Sequence, residues 1–329
     1  MRVGIPQGLF YHYYYPLWKT FFTDLGVEVI VSSPTNKRTI DMGIAAAVDE
    51  ACFPVKVFMG HVRELCSCRL DYIFVPRLVS VEEKSYICPK FMGIPDMVRA
   101  LIPDAPPLID ITIDLSRNES LLRKEMAKLG LLFSKNRASV LQAYQHGRQE
   151  LRFCYELVRE GYTLAESVQI WEGGHPLNTN KGDLRIGLLG HGYAIYDEGI
   201  SMNMVGRLRE LGCVVIPSEA LISRLVEEAA SAVPKRVFWT LGRKMLGSAL
   251  QMDAGSDVDG IIYAACFACG PDSIIGEIIE RKVKNKPFMF LTLDEHTGEA
   301  GLVTRLEAFC DMLRRRRAAS NENNFPAYG

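Results

Sequence analysis

Short apolar runs and chain breakers alternate from the first residue. Arg2-Val3-Gly4-Ile5 stops at Pro6-Gln7-Gly8, an apolar stretch of helical period covers 14–25, and 27–32 is β-branched again. This is one β-α-β unit. The pattern then predicts a helix over 40–49, a break at Cys52-Phe53-Pro54, a helix over 55–65 and a strand over 72–75. Such alternation implies a parallel sheet with helices on both faces, whose chemistry sits in loops at the carboxyl ends of the strands.

From 115 to about 168 the strand signal vanishes, and long helical stretches carry Glu, Lys, Arg and Gln on one face. Trp171-Glu172-Gly173-Gly174-His175-Pro176 ends this stretch. Strands are then predicted over 184–189, 214–217, 260–264 and 288–292, and helices over 201–211, 273–282 and 300–317. The fold expected is α/β, with two Rossmann-like (flavodoxin-like) lobes of parallel sheet joined by a helical connector. The boundaries are 1–114 for the N-terminal lobe, 115–183 for the connector, 184–317 for the C-terminal lobe and 318–329 for a flexible tail. No repeat stands out by residue identity, although the lobes are alike in element order.

Composition supports two cores: 329 residues at 48% hydrophobic content exceed one ordinary domain. Lys plus Arg number 38 against 39 Asp plus Glu, and a net charge of -1 gives no general attraction to nucleic acid. A basic leader with an apolar h-region is missing, as is any run long enough to span a bilayer, so a cytoplasmic protein without a membrane partner is expected.

Nine cysteines in a reducing compartment point to metal ligation or redox chemistry. Cys154, Cys213 and Cys310 lie in apolar patterns and read as small buried hydrophobes. Cys52 precedes Phe53-Pro54, Cys88 precedes Pro89, and Cys269 precedes Gly270-Pro271. At such breaks a thiolate can reach out of the fold while backbone amides turn toward sulfides. The three would have to converge across the cleft between lobes. Cys66-x-Cys68 lacks the second ligand pair that zinc requires, and Cys266-x-x-Cys269 does not open a helix as a thioredoxin-like dithiol does. Cys66, Cys68 and Cys266 are left as extra ligands or bystanders.

His61, His191 and His296 lie beside breakers. A histidine near a cluster can hydrogen-bond sulfur or shuttle protons, which makes His191 and His296 the catalytic candidates, whereas His61 is expected to face a structural partner on its own helix. Gly190-His191-Gly192 falls short of a G-x-G-x-x-G loop, and no Walker A sequence is present, so ATP hydrolysis by this chain is not expected. Asp294, Glu295 and Glu299 read as acid-base groups or helix caps, Arg305 as a partner for one of them, and 314–317 as a solvated helix end.

Several segments carry a family likeness: Glu50-Ala51-Cys52-Phe53-Pro54-Val55-Lys56 with Gly60-His61, Ile87-Cys88-Pro89, and Gly190-His191-Gly192-Tyr193-Ala194-Ile195-Tyr196-Asp197. Phe267-Ala268-Cys269-Gly270-Pro271-Asp272, Leu293-Asp294-Glu295-His296-Thr297 and Thr304-Arg305-Leu306-Glu307-Ala308-Phe309 continue it. In these the chain resembles the acyl-CoA dehydratase activase-related proteins, relatives of the cluster-carrying subunits of 2-hydroxyacyl-CoA dehydratases, benzoyl-CoA reductases and double-cubane cluster proteins. The resemblance implies a [4Fe-4S] cluster on Cys52, Cys88 and Cys269 with one iron left open, or a double-cubane cluster if further thiolates converge. It also implies a separate ATP-dependent activase that delivers low-potential electrons, within a reductase or dehydratase system of anaerobic metabolism. Paired subunits in such systems imply a homodimer or a heterodimer with a related chain. The alternative is a non-catalytic cluster carrier or scaffold that binds the activase, and a substrate pocket beside the open iron is what separates the two.

Overall fold

A computed structural model describes residues 1–116, 120–176 and 181–322; residues 117–119 and 177–180 of the expected connector and 323–329 of the expected tail lie outside the described residues. The first lobe opens with β1 (Arg2–Ile5), α1 (Tyr11–Asp24), β2 (Glu28–Val31), α2 (Lys37–Ala46) and α3 (Phe53–Cys66). It continues with β3 (Tyr72–Phe74), β4 (Arg77–Ser80), α4 (Pro89–Leu101), β5 (Leu108–Ile109) and β6 (Thr112–Asp114). Then come α5 (Ser120–Leu131), α6 (Arg137–Arg159) and α7 (Leu164–Trp171). The second lobe starts with β7 (Leu184–Gly190), α8 (Gly192–Ile195), α9 (Glu198–Ser201), α10 (Met204–Glu210) and β8 (Cys213–Pro217). It ends with α11 (Ser223–Ala230), α12 (Thr240–Ala254), β9 (Gly260–Cys266), α13 (Gly270–Lys282), β10 (Phe288–Leu293) and α14 (Glu299–Glu322).

Both main sheets are parallel and share one strand order, β2-β1-β3-β5 in the first lobe and β8-β7-β9-β10 in the second. The small β4-β6 sheet prolongs β3-β5 past Pro76, because Val75 N-H donates to Ile109 O and Arg77 N-H to Ile111 O, each at 2.9 Å. Every residue of β9 is buried, as a strand covered on both faces requires.

Local chemistry explains where the elements depart from the sequence pattern. Asn36 caps α2 by accepting Thr39 N-H at 3.1 Å, which starts that helix ahead of its predicted first residue. The helix predicted over 201–211 is split by Met202 and Asn203, both in the left-handed region at φ 53° and 56°. Helix α4 was hidden by Pro95 inside it, and α12 by Gly242 and Gly247, which lower helix propensity. Helix α14 runs to Glu322, past the predicted end at 317. Arg314 and Arg317 reach back to Asp183 and are not merely a solvated end.

The seam between lobes has an apolar core, with Phe10 and Phe91 against Tyr193, and specific polar contacts pin it. Tyr86 N-H donates to Phe238 O at 2.8 Å and Tyr86 O accepts Thr240 N-H at 2.9 Å, an isolated parallel bridge. Tyr13 OH accepts Gly192 N-H at 2.7 Å, and Lys56 meets Glu295 at 2.5 Å with both side chains nearly buried. That pair and an Arg207–Glu299 pair take two of the acids expected for Arg305; the third, Asp294, accepts His296 N-H and the Thr297 hydroxyl.

His61 joins this seam instead of pairing within its own helix. Gln7 N-H donates to Ser32 Oγ at 2.8 Å, Ser32 Oγ lies 2.9 Å from His61 Nδ1, and His61 Nε2 lies 2.9 Å from Thr35 Oγ1. Thr35 gives its one hydroxyl proton to Asp197 at 2.5 Å, so Nε2 must carry the imidazole proton and Nδ1 accepts from Ser32. Burial lowers His61 to about 4 and raises Asp197 to about 6. The His61 contribution to stability is present above its ordinary pKa and lost as pH falls through about 4; that of Asp197 is present in acid and lost as pH rises through about 6. The two oppose one another. Acidification from pH 7.5 to 5 should therefore cost Asp197→Asn about 1 kcal/mol more stability than the parent, and His61→Gln less than the parent. Urea unfolding at the two pH values reads this, and identical pH slopes in all three proteins would contradict the burial of both groups.

Candidate functional site

The three proline-flanked cysteines occupy the same structural position. Cys52, Cys88 and Cys269 are the N-cap residues of α3, α4 and α13, each followed by a proline in the first turn. Their backbones are extended, at φ −68° and ψ 152°, φ −66° and ψ 153°, and φ −83° and ψ 103°. Each sulfur thus sits at the positive end of a helix, where anions are favoured.

Lys90, in the first turn behind Cys88, ties the three loops together. Its ammonium donates to Glu50 O at 3.0 Å and to Ala268 O at 3.2 Å, two residues before Cys52 and one before Cys269. Ala268 takes φ 60° to present that carbonyl, a strained conformation for a residue with a Cβ. Thiols from both lobes therefore share one neighbourhood, and they respond to one another's charge. Burial pushes all three up, and the charge of Cys52 raises Cys88 and Cys269 further. Lys90 and the first-turn amide of Val55 work the other way at Cys52, as the amide of Phe91 does at Cys88.

His191 and Cys269 follow β7 and β9, neighbouring strands at the point where the order of the second sheet reverses. His191 lines a cavity together with Cys88, Cys269, Tyr193, Phe91 and Trp239. Its Nε2 lies 2.8 Å from Asp272 Oδ1, and Asp272 also accepts the Tyr263 hydroxyl at 2.8 Å. Burial would raise Asp272, but His191, Tyr263 and Cys269 together hold its carboxyl below the usual range.

The other candidates are placed differently. His296 is exposed beyond β10, in a turn closed by its own N-H on Asp294. Cys266 ends β9, buried beside a depression that Cys269 and Phe267 also line, and it feels the charge of Cys52 and Cys269. Cys66 ends α3, so the 14-residue helix puts it about 20 Å from Cys52, and its thiol is spent on Val62 O. Cys68 follows just beyond. Cys154, Cys213 and Cys310 are buried as expected, the last two 3.4 Å apart at sulfur. Lys90 and Asp272 were not foreseen, although an acid in the first turn of a helix that opens at a candidate ligand is a legible signal.

A two-lobed parallel α/β protein with three helix-capping cysteines gathered at the lobe seam is the class that this fold and geometry define. The chain belongs to the activase-related family described as CoA enzyme activase uncharacterised domain (DUF2229), which matches residues 2–221. The matched part contains Cys52, Cys88 and His191, while Cys269 and His296 lie beyond it. No curated protein matches the chain. Among the described residues no helix is long and apolar enough to cross a membrane.

Proposed function

We propose that this chain accepts low-potential electrons from an ATP-hydrolysing activase on a [4Fe-4S] cluster held by Cys52, Cys88 and Cys269, and passes them to a small substrate. The observation that carries this is the meeting of three like N-caps from two lobes, joined by Lys90. Their chemistry fits the group. Thiols that burial pushes up need a cationic partner to ionise, and the helix ends and Lys90 offset the negative charge that thiolates and sulfides bring. When bound, the cluster supplies one-electron transfer at a potential set by charge, hydrogen bonds and exposure. A single cubane is favoured over a bridged pair, because Cys66 and Cys68 lie at the far end of α3, which leaves too few thiols near the site for two cubanes.

A role in substrate chemistry is favoured over mere cluster carriage by a cavity of about 690 Å³ that shares Leu241 with the cysteine-lined one. That size suits a small molecule. Tyr155, Glu219, Arg159 and Lys244 line it, as does Ser248, whose buried hydroxyl lacks a partner. The activase as electron donor rests on the family.

Anaerobic reconstitution with iron and sulfide, then iron counting and electron paramagnetic resonance after reduction by dithionite, tests the cluster. About four irons per chain and a reduced-cluster signal are expected. Colourless protein that takes up neither iron nor sulfide overturns the proposal.

A further inference from the structure

We infer that His191 supplies, through Nδ1, a fourth protein ligand to the cluster site, completing a Cys3His set; this rests on the cluster reading above. Three thiolates leave one iron of a cubane without a ligand from the protein. His191 meets the requirements for filling that place. It is 5% exposed and lines the same cavity as Cys88 and Cys269. The Asp272 carboxylate, itself 1% exposed, takes Nε2 at 2.8 Å on Oδ1, and the same oxygen accepts the Tyr263 hydroxyl. With the proton on Nε2, the Nδ1 lone pair is free.

Nδ1 is buried and has no hydrogen-bond partner. An unpaired polar atom in a protein interior is costly to leave unmade, and a metal relieves it. A ring nitrogen of His191, Cys269 Sγ and an Asp272 oxygen all fall within 4.8 Å of one another. One imidazole nitrogen directed at a metal, with the other N-H fixed on a carboxylate, is how metal-bound histidines are generally oriented. Asp272 is committed to His191, Tyr263 and Cys269. The rival is Cys266, buried at the end of β9 within the field of Cys52 and Cys269 but absent from the lining of the cavity that His191 shares with Cys88.

The test is pulsed electron paramagnetic resonance of the reconstituted, one-electron-reduced full chain. A ¹⁴N coupling of directly bound imidazole is expected, replaced by a ¹⁵N pattern when the protein is grown on ¹⁵N-histidine. The coupling should vanish in His191→Cys, which should keep the parent iron content and show a lower midpoint potential, since thiolate adds negative charge where imidazole was neutral. Cys266→Ser should leave the ¹⁴N coupling in place. A normal reduced-cluster signal in the parent without imidazole coupling refutes the His191 ligand and leaves the cluster standing. A parent with no iron-sulfur signature, including one that binds a single metal ion at His191, Cys269 and Asp272, refutes both.

Discussion

Cys88→Ala is expected to leave a folded protein that no longer retains its cluster. Iron bound after anaerobic reconstitution and desalting should fall by more than the roughly 10- to 100-fold in affinity that loss of an outer-shell partner brings. The folded state should tolerate the change. Cys88 is half-buried and makes no capping hydrogen bond with its side chain, and Pro89 remains to start α4. Cys52→Ala and Cys269→Ala should behave alike, because the three residues hold equivalent positions on three helices. Cys154→Ala provides the contrast: that thiol is buried and points at Ser167 O, so its loss should leave the iron content unchanged. Lys90→Met should give a partial loss, since it removes a cation and leaves the Glu50 and Ala268 carbonyls unpaired while all three sulfurs remain. Iron counting separates these outcomes, and Cys88→Ala with the parent's full complement would strike that residue from the ligand set.

The elements that carry the cysteines were partly legible in the sequence, and the reason is local. A proline or glycine beside Cys52, Cys88 and Cys269 marks a chain break, and the N-cap is where a break meets a helix. Strands β7 to β10 were legible because long apolar runs between breakers leave few alternatives. The two residues of β5 are too short to show a period, so the full order of the first sheet was beyond reach. Convergence was harder still. Cys88 and Cys269 meet because contacts across the seam, among them Tyr86 with Trp239 and Lys90 with Ala268, bring their loops together, and no spacing rule connects residues so far apart in the chain. Lys90 escaped notice because Pro95 disguised its helix as a loop. His296 shows the converse: the breakers around it announced a turn, and a turn on the surface is what they form.

Gly60→Ala is expected to be the most damaging methyl group that can be added to the first lobe. Helices α2 and α3 cross backbone against backbone at Gly43 and Gly60: a Cβ at Gly60 would stand 1.9 Å from Thr39 O, and one at Gly43 would stand 2.0 Å from Lys56 O. The obstruction is a carbonyl within a helix, so no side chain can swing aside and one whole helix must move. The penalty should reach or exceed about 3 kcal/mol, the upper end for overpacking a core, lowering the melting temperature by roughly 4 °C or more. The displacement also reaches the site. Helix α3 carries Cys52 at its start, Lys56 on Glu295 and His61 on Thr35, so separation from α2 disturbs the seam and one cluster thiol together. Iron retention should therefore fall along with stability. Gly93→Ala is the matched control: it lies in α4 with open space where its Cβ would be, and alanine there should stabilise the helix by about 0.5–1 kcal/mol. Thermal melts of both variants in the iron-free state decide the matter, since Gly60→Ala melting with the parent would mean that the two helices do not touch through their backbones.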